Sequence, residues 1–199
     1  HDLISEDEDN FLCQNNHLPN LQKLVLKEIE WHETIDKRIH AKNLKELSLC
    51  FNIYTKGNTE WTIPIICDQL ESLKVTLRGR TVRTDILRRI TSYPNTVKRF
   101  TLESGRIDHM EISKVLPLLE EIDLDRYIHY FTIEEVVRFV REFRLLKLLR
   151  FQSLAGISLK DLMTHFNNWS VSFKTTYMGH SVRPEIKEVL SIQLEHNAN

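Results

Sequence analysis

Apolar residues recur along this chain at a spacing of three and then two, giving the pattern LxxLxL. The clearest copy is Leu44, Leu47 and Leu49, with Asn52 three places after the last leucine. Looser copies are Leu21, Leu24, Leu26; Leu70, Leu73, Val75; Val97, Phe100, Leu102; Leu119, Ile122, Leu124; Leu146, Leu149, Phe151; and Phe166, Trp169, Val171. Their first positions are separated by 23, 26, 27, 22, 27 and 20 residues. The fourth and sixth positions lie two apart, so on a strand they point to one face and can be buried together. One such strand buries little, but copies stacked in parallel share a core, each connection crossing back outside the sheet.

The later connections carry helical patterning. Residues 84–91 follow a threonine cap, place Ile86, Leu87 and Ile90 on one side and stop at Tyr93-Pro94. Over 132–143, Thr132 is followed three places on by Glu135, the capping-box form, with Ile133, Val136, Val137 and Val140 facing inward. Residues 158–166 repeat the theme. Connections 27–43 and 51–69, the second broken by Gly57, Asn58 and Pro64, predict irregular or short 3₁₀ returns. Residues 183–196, with Ile186, Val189, Leu190, Ile192 and Leu194, predict a C-terminal helix covering the open end, as a solenoid requires. Residues 1–16, rich in Asp and Glu, read as a mobile acidic lead-in to one domain, 17–199, against which Phe11, Leu12 and Cys13 could seat.

A repeat of 20 to 29 residues built on this pattern is the signature of leucine-rich repeats. The chain's 27 leucines, against 5 Gly and 5 Pro, agree with that reading. The expected fold is therefore α/β: a leucine-rich-repeat solenoid, or horseshoe, with a short-stranded parallel sheet, outer helices and about seven irregular repeats. The alternative is an α/β domain whose strands and helices alternate without a true repeat.

Other chemistry is thinly represented. Five isolated glycines make no P-loop and no dinucleotide fingerprint, and neither HExxH nor GxSxG occurs. His109 near Glu111 and His129 near Asp125 read as loop histidines rather than acid/base pairs, so no catalytic residue and no cofactor is assigned. Cys13, Cys50 and Cys67 are irregularly spaced and form neither a disulfide framework nor a metal ligand set, which suits a reducing, cytoplasmic or nuclear setting. Asn168-Trp169-Ser170 reads as a chance glycosylation sequon. No apolar run is long enough to span a membrane. Because the chain opens on His1, an upstream signal or further domain stays open.

Runs LPNLQKLVL (18–26), KNLKELSLCFN (42–52) and LPLLEEIDL (116–124) carry a family likeness. Residues 18–173 resemble the degenerate intracellular leucine-rich repeats of F-box proteins. That resemblance implies a non-catalytic protein-binding module that recruits substrates to a ubiquitin ligase. In that family an F-box segment binds the Skp1 adaptor; none is recognisable in this chain, so contact with the adaptor would need a region outside it. A scaffold or regulatory protein unconnected with ubiquitin is the alternative, and an enzyme a distant third.

Charge changes the picture through its placement, because the net charge is only −1. Residues 74–106 hold nine basic residues against Asp85 and Glu103, and residues 1–36 hold nine acidic residues against Lys23 and Lys27. The basic band, with Arg80 and Arg83, reads first as a solvated face or as the neighbour of the acidic lead-in, and second as a site for an acidic or phosphorylated partner. Nucleic acid is disfavoured because no aromatic residues interleave with the basic ones. The repeat register puts Val25, Ser48, Lys74, Thr101, Asp123, Arg150 and Ser170 at the central exposed position, flanked by Arg99, Glu103, Glu121 and Asp125. Lys74, Arg99, Glu121, Asp123, Asp125 and Arg150 are thus the expected protein-binding residues of the concave face, with Phe51 and Leu148 as its apolar anchors. Opposite charges on adjacent strands could instead simply pair with one another.

Overall fold

The computed structural model describes residues 2–5, 16–29, 39–52, 65–78, 96–103, 112–124, 131–154, 159–180 and 183–197. The described strands are β1 (Asp2–Ser5), β2 (Asn16–His17), β3 (Lys23–Ile29), β4 (Ile39–His40), β5 (Glu46–Asn52), β6 (Ile65–Ile66), β7 (Ser72–Arg78), β8 (Arg99–Glu103), β9 (Glu121–Leu124), β10 (Leu148–Leu154), β11 (Trp169–His180) and β12 (Arg183–His196), and the seven LxxLxL copies run into β3, β5, β7, β8, β9, β10 and β11. Three helices are described: α1 (Ile112–Val115), α2 (Ile133–Glu142) and α3 (Leu159–His165). The architecture is mixed α/β, with a nine-stranded, mostly parallel sheet ordered β1-β3-β5-β7-β8-β9-β10-β12-β11.

Alternation within each strand sets the core. Leu24, Leu47, Leu73, Phe100, Ile122 and Leu149 stand in one row across β3, β5, β7, β8, β9 and β10. The sixth positions Leu26, Leu49, Val75, Leu102, Leu124 and Phe151 are likewise buried, and so are the first positions Leu21, Leu44, Leu70, Val97, Leu119 and Leu146. All eighteen belong to one apolar cluster, which is the physical content of the repeat.

A second regularity lies in the backbone. The carbonyl of the residue entering each strand accepts two amides from the next copy: Gln22 from Lys45 and Glu46, Lys45 from Glu71 and Ser72, Glu71 from Lys98 and Arg99, Lys98 from Glu120 and Glu121, and Glu120 from Lys147 and Leu148. Those ten N···O distances fall between 2.7 and 3.1 Å. Each junction is therefore pinned by the same pair of bonds, which fixes register before the strand begins.

Return segments differ between the two ends of the stack. In the first three copies, β2, β4 and β6 form a small three-stranded parallel sheet, with Ile39 and Ile65 buried and opposite each other. Irregular or 3₁₀ returns were expected there, and short strands are what the described residues form. Later copies return by helix. The Thr132 hydroxyl accepts from the Glu135 amide and the Glu135 carboxylate accepts from the Thr132 amide, so the capping box predicted for α2 is present. Its buried face centres on Val136 and Phe139, with Ile133, Val137 and Val140 partly buried beside them. Phe139 packs on Phe131 and Phe143, and Phe131 meets Phe151 of β10 edge-on at 5.6 Å. The helix expected over 84–91 lies outside the described residues.

Both termini correct the sequence reading. Residues 183–196 are a strand, β12, and not a capping helix. Leu190, Ile192 and Leu194 alternate with a period of two, and Ile192 and Leu194 are buried opposite Phe151 and Leu149 on the antiparallel β10. The mixed spacing of Ile186 and Val189 hides this alternation. β12 then pairs antiparallel with β11, so the sheet is neither wholly parallel nor wholly short-stranded. The seventh copy is also shifted by two residues: Val171 lies opposite Leu194, in the row of Leu149, where the pattern had placed Trp169. A two-residue slip keeps the same face inward, so hydrophobic alternation cannot detect it. At the other end, Asp2–Ser5 of the acidic segment pairs in parallel with β3. Phe11, Leu12 and Cys13 lie outside the described residues.

Candidate protein-binding surface

Between the two buried rows, each strand turns one residue outward, and the pairing register lines these residues up. Val25, Ser48, Lys74, Thr101, Asp123 and Arg150 stand opposite one another on successive parallel strands, and Gln193 and Ser172 complete the row on the terminal hairpin. Ser170 was expected in this row but stands opposite Glu195, in the next row along. That second row reads Lys23, Glu46, Ser72, Arg99, Glu121, Leu148, Glu195 and Ser170. Parallel strands about 4.8 Å apart turn the two rows into a regular polar array.

Several of its charges satisfy one another. Lys74 Nζ lies 2.9 Å from Glu103, whose carboxylate also accepts from the Thr76 hydroxyl at 3.1 Å. Arg150 reaches Asp123 at 3.5 Å and donates from Nε to Gln193 Oε1 at 3.0 Å. Lys23 pairs with Glu46 at 3.1 Å. These partly exposed pairs lie in high dielectric and each contributes ~0 to 1 kcal/mol. Arg99 and Glu121 are exposed and directly opposed, yet neither forms an ion pair among the described residues. Around them Ser72, Thr101, Leu148 and Arg150 line a shallow depression of about 250 Å³. Cross-strand pairing thus accounts for Lys74, Asp123 and Arg150, and leaves Arg99 and Glu121 available.

The remaining site residues fare differently. Asp125, Arg80 and Arg83 lie outside the described residues. Phe51 is no surface anchor: it is 0% exposed, inside the core, because β5 continues its inward alternation one step past Leu49. Leu148 is half-buried at the floor of the depression.

Sequence reasoning missed a charged edge. The residues whose carbonyls pin the junctions carry side chains that alternate in sign: Lys45, Glu71, Lys98, Glu120 and Lys147. Lys147 and Lys98 both reach Glu120, the first by a hydrogen bond. That bond, reinforced by the two positive charges, holds the Glu120 carboxyl below its ordinary value of 4.5. The signal was legible, because these residues occupy the second position of the second to sixth copies.

Among the described residues no three His, Cys, Asp or Glu gather as a metal-binding group, and no helix is long and apolar enough to cross a membrane. Cys50 and Cys67 are buried and unbridged, and burial pushes the Cys67 thiol up to about 12. Compared with known proteins, the chain matches no family model and no curated protein.

Proposed function

We propose that this chain is a leucine-rich-repeat solenoid that acts as a non-catalytic protein-binding module, docking its partner on the concave, polar face of the long sheet. One observation carries the reading: two rows of outward side chains run in register across six parallel strands, and Arg99 and Glu121 stand opposed in one of them with no ion pair among the described residues. A partner that supplies a carboxylate to Arg99 and a cation to Glu121 forms two new charge pairs without breaking Lys74–Glu103 or Arg150–Asp123. Asp125 joins the proposal by its place in the sequence repeat alone. Arg80 and Arg83 add recognition of an anionic group to this reading. Among the described residues lining the depression Leu148 is the one half-buried apolar group, so affinity rests on charge matching more than on apolar anchors.

The resemblance of 18–26, 42–52 and 116–124 to F-box proteins supports a finer assignment, the substrate-recognition part of a ubiquitin ligase subunit in the cytoplasm or nucleus. The test compares parent chain with the double variant R99E/E121K as baits in cell extract. The reading expects a protein that the parent recovers and the folded variant loses, and expects that protein to become longer-lived in cells lacking this chain. An unchanged set of recovered proteins places docking elsewhere. A lost partner with an unchanged half-life leaves the binding module standing and removes the ubiquitin role in favour of a scaffold.

A further inference from the structure

We infer that the strand-entry edge of the fifth and sixth copies is a second docking site, one that receives an acidic peptide segment bearing a single bulky apolar side chain. Turns Leu116-Pro117-Leu118-Leu119 and Phe143-Arg144-Leu145-Leu146 hold equivalent places in consecutive copies, each leading into its strand through the residues that pin the junction. In other copies the place of Leu118 and Leu145 is polar: Asn20, Asn43, Gln69 and Thr96. There the side chain has a structural task where a bond is formed, the Asn43 amide donating to the Pro19 carbonyl and the Thr96 hydroxyl to the Leu70 carbonyl, both at 2.7 Å. Leu118 and Leu145 have no such task and stand 42% and 48% exposed. Scattered single exposed leucines are ordinary; two on adjacent copies, in a position otherwise polar, make one apolar spot.

The charges around that spot select the partner. Lys98 and Lys147 flank Glu120 on the same edge, and Arg144, exposed beside Leu145, has no carboxylate partner among the described residues. On this edge, within the fourth to sixth copies, these three cations stand against Glu120 alone, and counting Glu71, next to Lys98 in the same row, the edge still carries a balance of +1. Adjacent copies are about 4.8 Å apart, so one phenylalanine or leucine side chain covers both leucines. Acidic residues on either side of that anchor then reach Lys98 and Lys147.

The probe is a fluorescein-labelled peptide of about twelve residues, Asp and Glu around one central Phe, followed by fluorescence anisotropy. The parent chain should bind it, and replacing the central Phe by Ala should weaken binding roughly tenfold. The variant L118N/L145N installs the residue present in the first two copies, so it should melt like the parent and yet bind roughly tenfold more weakly. The charge variant K98E/K147E should lose binding, whereas R99E/E121K on the polar face should keep it. If the double Asn variant fails to fold, the single variants L118N and L145N carry the test. The inference is overturned if the parent does not bind the probe, or if folded Asn variants bind it within about twofold of the parent. Leucine-dependent binding to phosphatidylserine vesicles in place of the peptide overturns it as well.

Discussion

In the parallel stack from β3 to β10, every strand finds its partner 22 to 27 residues away, whereas β11 and β12 meet across residues 181 and 182. The stack repeats one device at each junction, two amides on one carbonyl, and nothing in that device makes it stop. The hairpin stops it. β12 lies antiparallel on β10, buries Ile192 and Leu194 against the last repeat, and sends a single amide, from His196, to the Lys147 carbonyl. A repeat therefore supplies its own register, while its end needs a strand of opposite direction. The end is tied down locally: Trp169 packs edge-on against both Phe166 and His196, and the Ser170 hydroxyl bonds Asn197 Oδ1 at 2.6 Å.

The largest effects test whether stack and hairpin share one core. Leu49→Ala and Leu149→Ala should each cost ~2 to 5 kcal/mol in urea unfolding, and Ile192→Ala on β12 should cost a similar amount. Ser48→Ala, one residue from Leu49 but on the polar row, should stay within ~0.5 kcal/mol. An inexpensive Ile192→Ala would separate the hairpin from the core and break the comparison. Next in size comes the helical return, where Thr132→Ala removes half of the capping box and should cost ~0.5 to 2 kcal/mol.

Smaller, pH-dependent effects sharpen the picture. Cys67, with its thiol held near 12, should resist iodoacetamide at pH 8 in the native state and react on unfolding. Its folded value is raised, so its contribution is present below the ordinary thiol value of 9.0 and is lost as pH rises towards 12. Glu120 runs the other way. Its folded value is lowered, so its contribution is present at neutral pH and fades as pH falls below the ordinary carboxylate value. In Glu120→Gln that small acid-side slope should flatten, and an unchanged slope would show that the edge pairs are without thermodynamic weight.

Much of this was legible because a parallel stack writes itself into the sequence as a period. Leu24, Leu47, Leu73, Phe100, Ile122 and Leu149 were readable as one row, and Thr132 with Glu135 as a helix start, because both depend on near neighbours in the chain. Residues Ile186 to Leu194 were misread because their apolar spacing fits two periods, and the partner that decides, β10, is about forty residues away. Ser170 was misplaced by the two-residue slip that leaves inward and outward faces unchanged. That opposite charges on adjacent strands could pair was legible, but which of them do was not. Lys74 joins Glu103 and Arg150 joins Asp123 through side-chain geometry that no single-strand pattern contains.

The closing of the parallel stack by an antiparallel strand is tested most directly at the junction between Arg150 and Gln193. These residues are opposed on β10 and β12, and opposed residues of antiparallel strands lie about 4.5 to 5.5 Å apart at Cα, within disulfide range. With Cys13, Cys50 and Cys67 replaced by Ser or Ala, the pair Arg150→Cys and Gln193→Cys should form a disulfide under mild oxidation, and the pair Arg150→Cys and Glu188→Cys should not. Crosslinking of Arg150→Cys to Glu188→Cys as readily as to Gln193→Cys would contradict it, because it would mean that residues 183–196 do not lie along β10 in a fixed strand register.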